Sequence, residues 1–389
     1  MDRVQRLIYM DHSATTPADP RVVESMAPYW TDQFGNPSSS HAWGRGAATA
    51  LERARQTISD ILGCRPVEIV FTGSGTEADN LALRGPAFAA REAGRGNHLI
   101  TTPVEHHAVG HTVEQLRDLF GFEVTFLPVD SHGHVDPADL DRAIRRDTVL
   151  VSVMMANNEV GTVERVVRIG RVCREHGALF HTDAVQAAGR LPLEPEDVGA
   201  DLLTLSGHKI YGPKGIGVLY VRRGVDLVPP ITGGEQERGR RPGTVDVAQA
   251  VGLATALRLA EEKRVAECAR LRRLRDRLIE GVLASVPDCR LTGHPRLRLC
   301  NHASFAFHGV EGESVVVALD LEGIAVSSGA ACTGGEPASS FVLEAMGFSP
   351  EWGIGAVRLS LGRDNTEADV DAVLEALPPI VARLRSGGR

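Results

Sequence analysis

The stretch Asp201-Leu202-Leu203-Thr204-Leu205-Ser206-Gly207-His208-Lys209 decides the fold. Its first half is a short apolar run of the kind that forms a strand. Its second half breaks at a glycine into a polar turn that ends on a lysine. Working outward, similar β-rich runs lie at residues 69–72, 98–102, 123–128, 149–154, 178–182 and 217–221. Several are separated by helix-like stretches such as 77–91, 138–146 and 167–176. That alternation predicts βαβ units with right-handed crossovers and a mostly parallel, seven-stranded sheet.

Beyond Gly243 the texture changes. Residues 247–285 read as one long helix rich in Ala, Leu, Arg and Glu. A strand at 303–307, a helix at 314–321, a Ser/Gly/Ala loop ending near Cys332, a helix at 339–346, a strand at 356–360 and a helix at 367–385 follow. The expected organisation is a large α/β domain over residues 15–256 and a smaller α/β domain over 1–14 and 257–389.

Composition narrows the classes. In 389 residues, 43% are hydrophobic and 24% charged, which supplies a substantial core and an ordinary globular surface. The formal net charge of −8 argues against a nucleic-acid backbone as direct partner. No apolar run approaches the roughly 18 residues of a membrane helix. The N-terminal residues lack the long apolar centre of a secretory signal, so a cytoplasmic protein with no membrane contact is expected. The six cysteines form no Cys-x-x-Cys pair, which speaks against zinc knuckles and redox pairs and fits a reducing compartment.

Only three lysines occur, Lys209, Lys214 and Lys263. Lys263 sits among helical charges, and Lys214 lies in a Gly/Pro turn. Lys209 follows a strand, where ligands of parallel sheets bind, and a lysine there can form an imine with an aldehyde cofactor. Asp183 also ends a strand, where a carboxylate can keep a pyridine nitrogen protonated. Gln186, one turn on, can donate a hydrogen bond to a phenolate oxygen. Gly75 and Thr76 open a helix after a strand and offer N–H groups to an anion. His106 follows another strand end and can stack on a flat ring or move protons. His107 and His111 have helical i, i+4 spacing, but no third ligand accompanies them, so no metal is expected. Cys332 stands among small residues and glycines, a setting that suits an accessible nucleophilic thiolate as well as an inert loop cysteine. Arg358 puts a guanidinium inside a strand, suited equally to a bound carboxylate and to a structural ion pair. The segment 233–244, rich in glycine and arginine, reads as a solvated loop or as an anion-binding loop that reaches across a subunit interface.

Taken in order, these motifs resemble the cysteine desulfurases of the class V aminotransferase group, fold-type I pyridoxal-phosphate enzymes. The resemblance runs nearly the whole chain. It is carried by Tyr9-Met10-Asp11-His12-Ser13-Ala14-Thr15-Thr16-Pro17, Phe34-Gly35-Asn36-Pro37-Ser38-Ser39, Asn157-Asn158-Glu159-Val160-Gly161 and Ser206-Gly207-His208-Lys209-Ile210-Tyr211-Gly212-Pro213-Lys214-Gly215. Val310-Glu311-Gly312-Glu313-Ser314, the Ser327 to Cys332 loop and Arg358-Leu359-Ser360-Leu361-Gly362-Arg363 complete it.

The resemblance implies that Lys209 holds pyridoxal 5′-phosphate and transfers the Cα proton. Asp183 would pair with the ring nitrogen, Gln186 meet the ring oxygen and His106 stack on the ring. Gly75, Thr76, Ser206 and His208 would bind the phosphate, with Thr244 contributed by the partner of a homodimer. Asn158 would lie by cofactor and substrate, and Arg358 would hold the substrate carboxylate. Cys332 would accept sulfur from L-cysteine as a persulfide, leaving L-alanine, and pass it to an acceptor protein that contacts its loop.

The sequence departs from the pattern in two places. The phosphate turn is Gly73-Ser74-Gly75-Thr76 in place of Ser-Gly-Ala-Thr, and Gly334-Gly335-Glu336-Pro337-Ala338-Ser339-Ser340 differs from the Leu-Glu-Pro-Ser segment of housekeeping members. The second departure leaves the acceptor open among iron–sulfur cluster assembly, tRNA thiolation, cofactor synthesis and DNA sulfur modification. Competing readings are a selenocysteine lyase, another class V aminotransferase, and a scaffold that has lost its chemistry. The joint presence of Lys209, Asp183 and Cys332 argues against the last.

Overall fold

The computed structural model describes residues 7–328 and 339–387. The chain opens with β1 (Ile8–Tyr9), α1 (Pro20–Met26), α2 (Pro28–Thr31) and α3 (Ala42–Leu62). An alternating series follows: β2 (Ile69–Thr72), α4 (Gly75–Glu92), β3 (His98–Thr101), α5 (His107–Phe120), β4 (Glu123–Phe126), α6 (Pro137–Ala143), β5 (Thr148–Ser152), α7 (Val166–His176), β6 (Leu179–Asp183), α8 (Pro195–Val198), β7 (Leu202–Ser206) and β8 (Gly217–Val221). The remainder is α9 (Val247–Ser285), β9 (Cys289–Leu291), β10 (His302–Phe307), α10 (Gly312–Leu321), β11 (Ile324–Ala325), β12 (Ser327–Ser328), α11 (Phe341–Ala345), α12 (Pro350–Gly353), β13 (Ala356–Ser360) and α13 (Glu367–Gly387).

The central sheet has seven strands in the order β2-β8-β7-β6-β5-β3-β4. Its pairs are parallel from β7 through β4, as the alternation predicts. β8 is the exception, running antiparallel to both β7 and β2. Ten residues join β7 to β8, too few for a helical crossover, so the chain can only turn back.

Helices cover both faces, and each central strand alternates its side chains between two cores. Leu203 and Leu205 of β7 pack with Val151, Phe180 and Ala250 on one face, while Leu202 packs with Leu81, Val113 and Leu150 on the other. Complete burial of such a leucine is worth about 1.5–3 kcal/mol. A four-stranded antiparallel sheet, β12-β13-β10-β9, builds a separate core with Phe305, Phe307, Val357 and Leu278. The 39-residue α9 contributes to both: Ala250, Leu253 and Leu257 pack in the first core, Leu271, Leu278 and Val282 in the second. β1 pairs in parallel with β11, which draws Met10 into the second core and leads the following turn toward the central sheet.

Candidate active site

A cavity of about 610 Å³ opens at the carboxyl ends of β5, β6 and β7. Gly75, Thr76, His106, Asn158, Asp183, Gln186, Ser206, His208, Lys209 and Arg358 all line it, drawn from positions up to 283 residues apart in the chain. Ser13, Ala14 and Thr15 from the N-terminal turn form part of its wall, and so does Lys214.

Lys209 closes a single 3₁₀ turn, Gly207–Lys209, directly after β7. Its Nζ donates to the carbonyl oxygens of Ser13 at 2.6 Å and Ala14 at 2.7 Å. Burial is the first reason that its pKa falls to about 8, and the nearby Arg358 guanidinium adds to the fall. A half-buried ammonium beside another cation gives up its proton more readily, which is what an amine nucleophile needs.

Asp183 ends β6 and is almost fully buried. Its carboxylate accepts the backbone N–H of Val185 at 2.8 Å. Burial raises its pKa, while His106 and Lys209 oppose the rise. Gln186 lies in the turn after β6; its Nε2 donates to Ser13 O at 2.9 Å, and its Oε1 is buried with no partner among the described residues.

His106 is the N-cap of α5, and its Nδ1 accepts the N–H of Ala108 at 3.1 Å. That bond fixes the neutral tautomer, with the proton on Nε2. Burial lowers the imidazole pKa, so the ring stays neutral at physiological pH.

The glycine turn is tightly built. Ser74 caps the 18-residue α4 by accepting Glu77 N at 3.0 Å, and the Glu77 carboxylate takes the N–H of Gly73 at 2.6 Å. Gly75 and Thr76 therefore present first-turn N–H groups beside the cavity, where helix geometry supplies no acceptor. Gly75 packs so closely that a Cβ would stand 3.2 Å from both Ser206 Cβ and Val185 Cγ2. His208, next to Lys209 in the sequence, has its Nδ1 3.2 Å from Thr15 Oγ1, and burial lowers its pKa to about 4.

Arg358 donates to Asp11 Oδ1 at 2.8 Å and to Asn158 O at 3.0 Å, and its buried Nε has no partner among the described residues. The guanidinium is thus partly paired within the protein and keeps an unused donor.

One sequence candidate lies elsewhere. Thr244 is exposed and outside the cavity lining. Cys332 lies outside the described residues. The described cysteines are free, and burial pushes the thiols of Cys64 and Cys289 up to about 12.

The polar segment 233–244 contains a surprise. Glu237 is buried, accepting Arg55 Nη2 at 2.7 Å, Arg55 Nη1 at 2.8 Å and Phe71 N at 2.8 Å, while Arg241 pairs with Glu77 at 2.7 Å. The loop is therefore fastened to β2 and to the start of α4. His107 and His111 stack at 4.6 Å, and Phe341 packs on His107 at 4.8 Å. Among the described residues no group of three or more His, Cys, Asp or Glu is arranged to hold a metal ion.

The family model for class-V aminotransferases matches residues 8–373. The chain belongs to the class-V aminotransferase family. Among this family's members, it is similar to a protein of Methanosarcina thermophila named cysteine desulfurase IscS, 49% identical over 381 residues that cover 98% of this chain and 93% of that one. Among solved structures it resembles a NifS-like protein with a TM-score of 0.91 at 37% identity, covering 97% of this chain and all of that one. It also resembles SspA in complex with cysteine, with a TM-score of 0.80 at 36% identity over 91% of this chain and 98% of that one.

Sequence reasoning missed two contributors to this family's cavity in the present chain. The first is the carbonyl pair of Ser13 and Ala14, visible in the sequence only as part of the N-terminal motif. The second is Asp79, which lines the cavity at 1% exposure. Its position three residues after Thr76, on the same helical face, is the signal that would have found it.

Proposed function

We propose that this chain is a pyridoxal-phosphate-dependent cysteine desulfurase that converts L-cysteine to L-alanine and loads the sulfur onto Cys332. The observation that carries the reading is Lys209: a half-buried amine of lowered basicity just after β7, in one cavity with Asp183, His106 and the start of α4. The cavity's chemistry fits pyridoxal phosphate. It offers an amine for the aldehyde, a carboxylate for the ring nitrogen, a helix start for the phosphate, and buried polar atoms at Gln186 Oε1 and Ser13 Oγ that have no partner among the described residues.

When bound, the cofactor supplies an electron sink for the bonds around the substrate's Cα. Lys209 Nζ holds the aldehyde and, once displaced by the substrate amine, takes and returns the Cα proton. Asp183 stays anionic against the ring nitrogen. His106, with its Nδ1 occupied by Ala108, presents its ring to the cofactor and its Nε2 proton to the reacting side. Gly75, Thr76, Ser206 and His208 hold the phosphate. Asn158 and Arg358 orient the substrate, with the carboxylate meeting the guanidinium that now rests on Asp11. The Cys332 thiolate attacks the substrate sulfur; the S–S bond forms as the substrate's carbon–sulfur bond breaks, and the carbon remainder takes up a proton and leaves as L-alanine.

The proposal extends to organisation. Residues 15–256 form the large domain and 1–14 with 257–389 the small one, supported by the change of core along α9. The protein acts as a homodimer in which the exposed Thr244 of each subunit serves the other's cavity. It works in the cytoplasm, consistent with no described helix being long and apolar enough to cross a membrane. Cys332 hands its sulfur to an acceptor protein, with iron–sulfur cluster assembly the first pathway to test.

The test is direct. Purified protein with pyridoxal phosphate should be yellow, and borohydride should fix the cofactor on Lys209 by peptide mapping. L-cysteine with a thiol should yield alanine and sulfide in equal amounts. A Cys332→Ala variant should stay yellow and lose sulfur transfer. Undiminished activity on L-cysteine in that variant would overturn the persulfide step, and activity confined to L-selenocysteine would make the protein a lyase.

A further inference from the structure

Beside Asp183, on the α4 face of the sheet, lies a buried polar cluster that the proposed reaction does not use. Asp79 sits in the second turn of α4 and is 1% exposed. Its Oδ1 has no hydrogen-bond partner among the described residues. The nearest base is His181 Nε2, at 3.6 Å. His181 stands two residues before Asp183 on β6, so both side chains leave the same face of that strand.

The surroundings are closed and specific. His181 is completely buried, with Nδ1 2.8 Å from Ser152 Oγ and Nε2 3.1 Å from Thr204 Oγ1. Thr204 also reaches the Asp79 carboxyl. The titratable groups that face Asp79 are His181 and Asp183 from β6 and Glu105 from the turn ahead of α5; β5 and β7 present the hydroxyls of Ser152 and Thr204. Glu105 is itself buried, and its Oε1 takes Met154 N at 2.7 Å while its Oε2 is unpartnered.

Three carboxyl groups in one dry space cannot all be anions, because each would repel the others with little solvent screening. Of the three, only Asp183 faces cations, in Lys209 and the His106 ring when protonated. Asp79 has no such partner: burial holds His181 down to about 3, so its imidazole is neutral. An ionised Asp79 would put a second buried anion next to Asp183 with Oδ1 unpartnered and only the Thr204 hydroxyl on the carboxyl, whereas a protonated one brings no charge into that space.

We propose that Asp79 is a positioning residue whose uncharged carboxyl backs Asp183 through His181 and Thr204, leaving Asp183 as the single anion of the cluster. The inference rests on the cofactor reading given above, since it assigns Asp183 the ring nitrogen. Burial, with Asp183 next to it, pushes the Asp79 carboxyl well above the usual range and agrees with the geometry. The role is to keep the negative charge of the cluster on Asp183.

The experiment uses the full chain without cofactor first. Infrared spectra of protein labelled with ¹³C at aspartate carboxyl groups should show a protonated-acid C=O band at neutral pH, and Asp79→Asn should remove it. NMR titration of His106 should give the same midpoint in Asp79→Asn as in the parent, because no charge has been lost. Absence of any protonated-aspartate band in the parent overturns the proposal, and this reading needs no variant to fold. A downward shift of the His106 midpoint in Asp79→Asn also overturns it, since that is the sign expected for losing an anion. With cofactor bound, Asp79→Ala should lower kcat about tenfold with KM little changed, and Asn should restore most of that loss; equal losses in Ala and Asn overturn the proposal. If the protein fails to bind pyridoxal phosphate, the functional reading falls while the infrared and NMR results still decide the charge state of Asp79.

Discussion

Two cavities of nearly equal size lie at opposite ends of the same strands. One, of about 610 Å³, lies at the carboxyl ends of β5–β7; the other, of about 630 Å³, lies at the amino ends of β6 and β7 beside Tyr220 and Arg222. Volume does not separate them; the state of their polar groups does. At the amino end Arg222 pairs with Asp201 and Arg65 with Glu68 at 3.6 Å, both arginines being more than half exposed. At the carboxyl end, Ser13 Oγ, Gln186 Oε1 and Arg358 Nε are buried with no partner among the described residues. A protein satisfies its buried polar atoms unless something else is meant to meet them. The difference is that the carboxyl-end cavity holds buried polar atoms without a protein partner, whereas the amino-end cavity is edged by exposed ion pairs.

The sharpest way to break this comparison is to remove the amine. Lys209→Ala should abolish borohydride-stable attachment of the cofactor and lower kcat/KM for L-cysteine by about 10²–10⁴-fold, the range a positioned proton-transfer group supplies. Circular dichroism and thermal unfolding should show a fold little changed. Retained turnover would mean that Lys214, which shares the cavity wall, carries the chemistry instead.

A second variant bears on both cavities at once. Leu203 is fully buried in β7, which joins the two ends. Leu203→Ala should cost about 2–5 kcal/mol in urea unfolding, because the packed sheet relaxes only partly around the void. A loss below about 1 kcal/mol would show that the sheet repacks and that its rigidity is not what holds the cavity in place.

The sequence made the carboxyl-end cavity legible because parallel α/β sheets put ligands at strand ends, and the strand ends here carry Asp183, Lys209 and the Gly75–Thr76 turn. The mostly parallel sheet was readable for the same reason, from apolar runs separated by helical stretches. Three features were less accessible. β1 and β11 are two residues each, too short for any periodicity to register. The buried Glu237 sits in a segment whose composition is that of a solvated loop; only its partner Arg55, 182 residues away, explains it. Helix α4 begins at Gly75, two residues before the stretch that reads as helical, because first-turn positions need no helix-forming side chain. Cys332 and its loop fall outside the described residues, so the reading of Cys332 as sulfur acceptor rests on the family motif.

Lowered basicity at Lys209 makes the next prediction one of pH. A free amine, not an ammonium, attacks an aldehyde, so capture of an aromatic aldehyde by Lys209 in cofactor-free protein, trapped with borohydride, should rise with a midpoint near pH 8. Arg358→Gln should move that midpoint upward, because the guanidinium disfavours the ammonium next to it. The same shift has a stability sign. Between pH 8 and the ordinary lysine range near 10.4, the unfolded chain holds a proton that the native Lys209 has released, so this group's contribution to stability increases with pH across that window. A midpoint in the ordinary range would remove the electrostatic contrast between the two cavities.

The smallest expected effect is the most discriminating control. Arg174 lines the amino-end cavity, and its side chain extends toward Gly199, standing 3.4 Å from where a Cβ would be. Its residue is exposed, so Arg174→Ala removes charge and stem from a solvated wall. Stability should change by no more than about 0.5 kcal/mol, as for surface substitutions away from caps, cores and networks. Turnover of L-cysteine and the visible spectrum should be those of the parent. A clear loss of turnover would mean that the amino-end cavity, nearly equal in volume and unlike in chemistry, takes part in the reaction after all, and that unpartnered polar atoms are an incomplete guide to where this protein works.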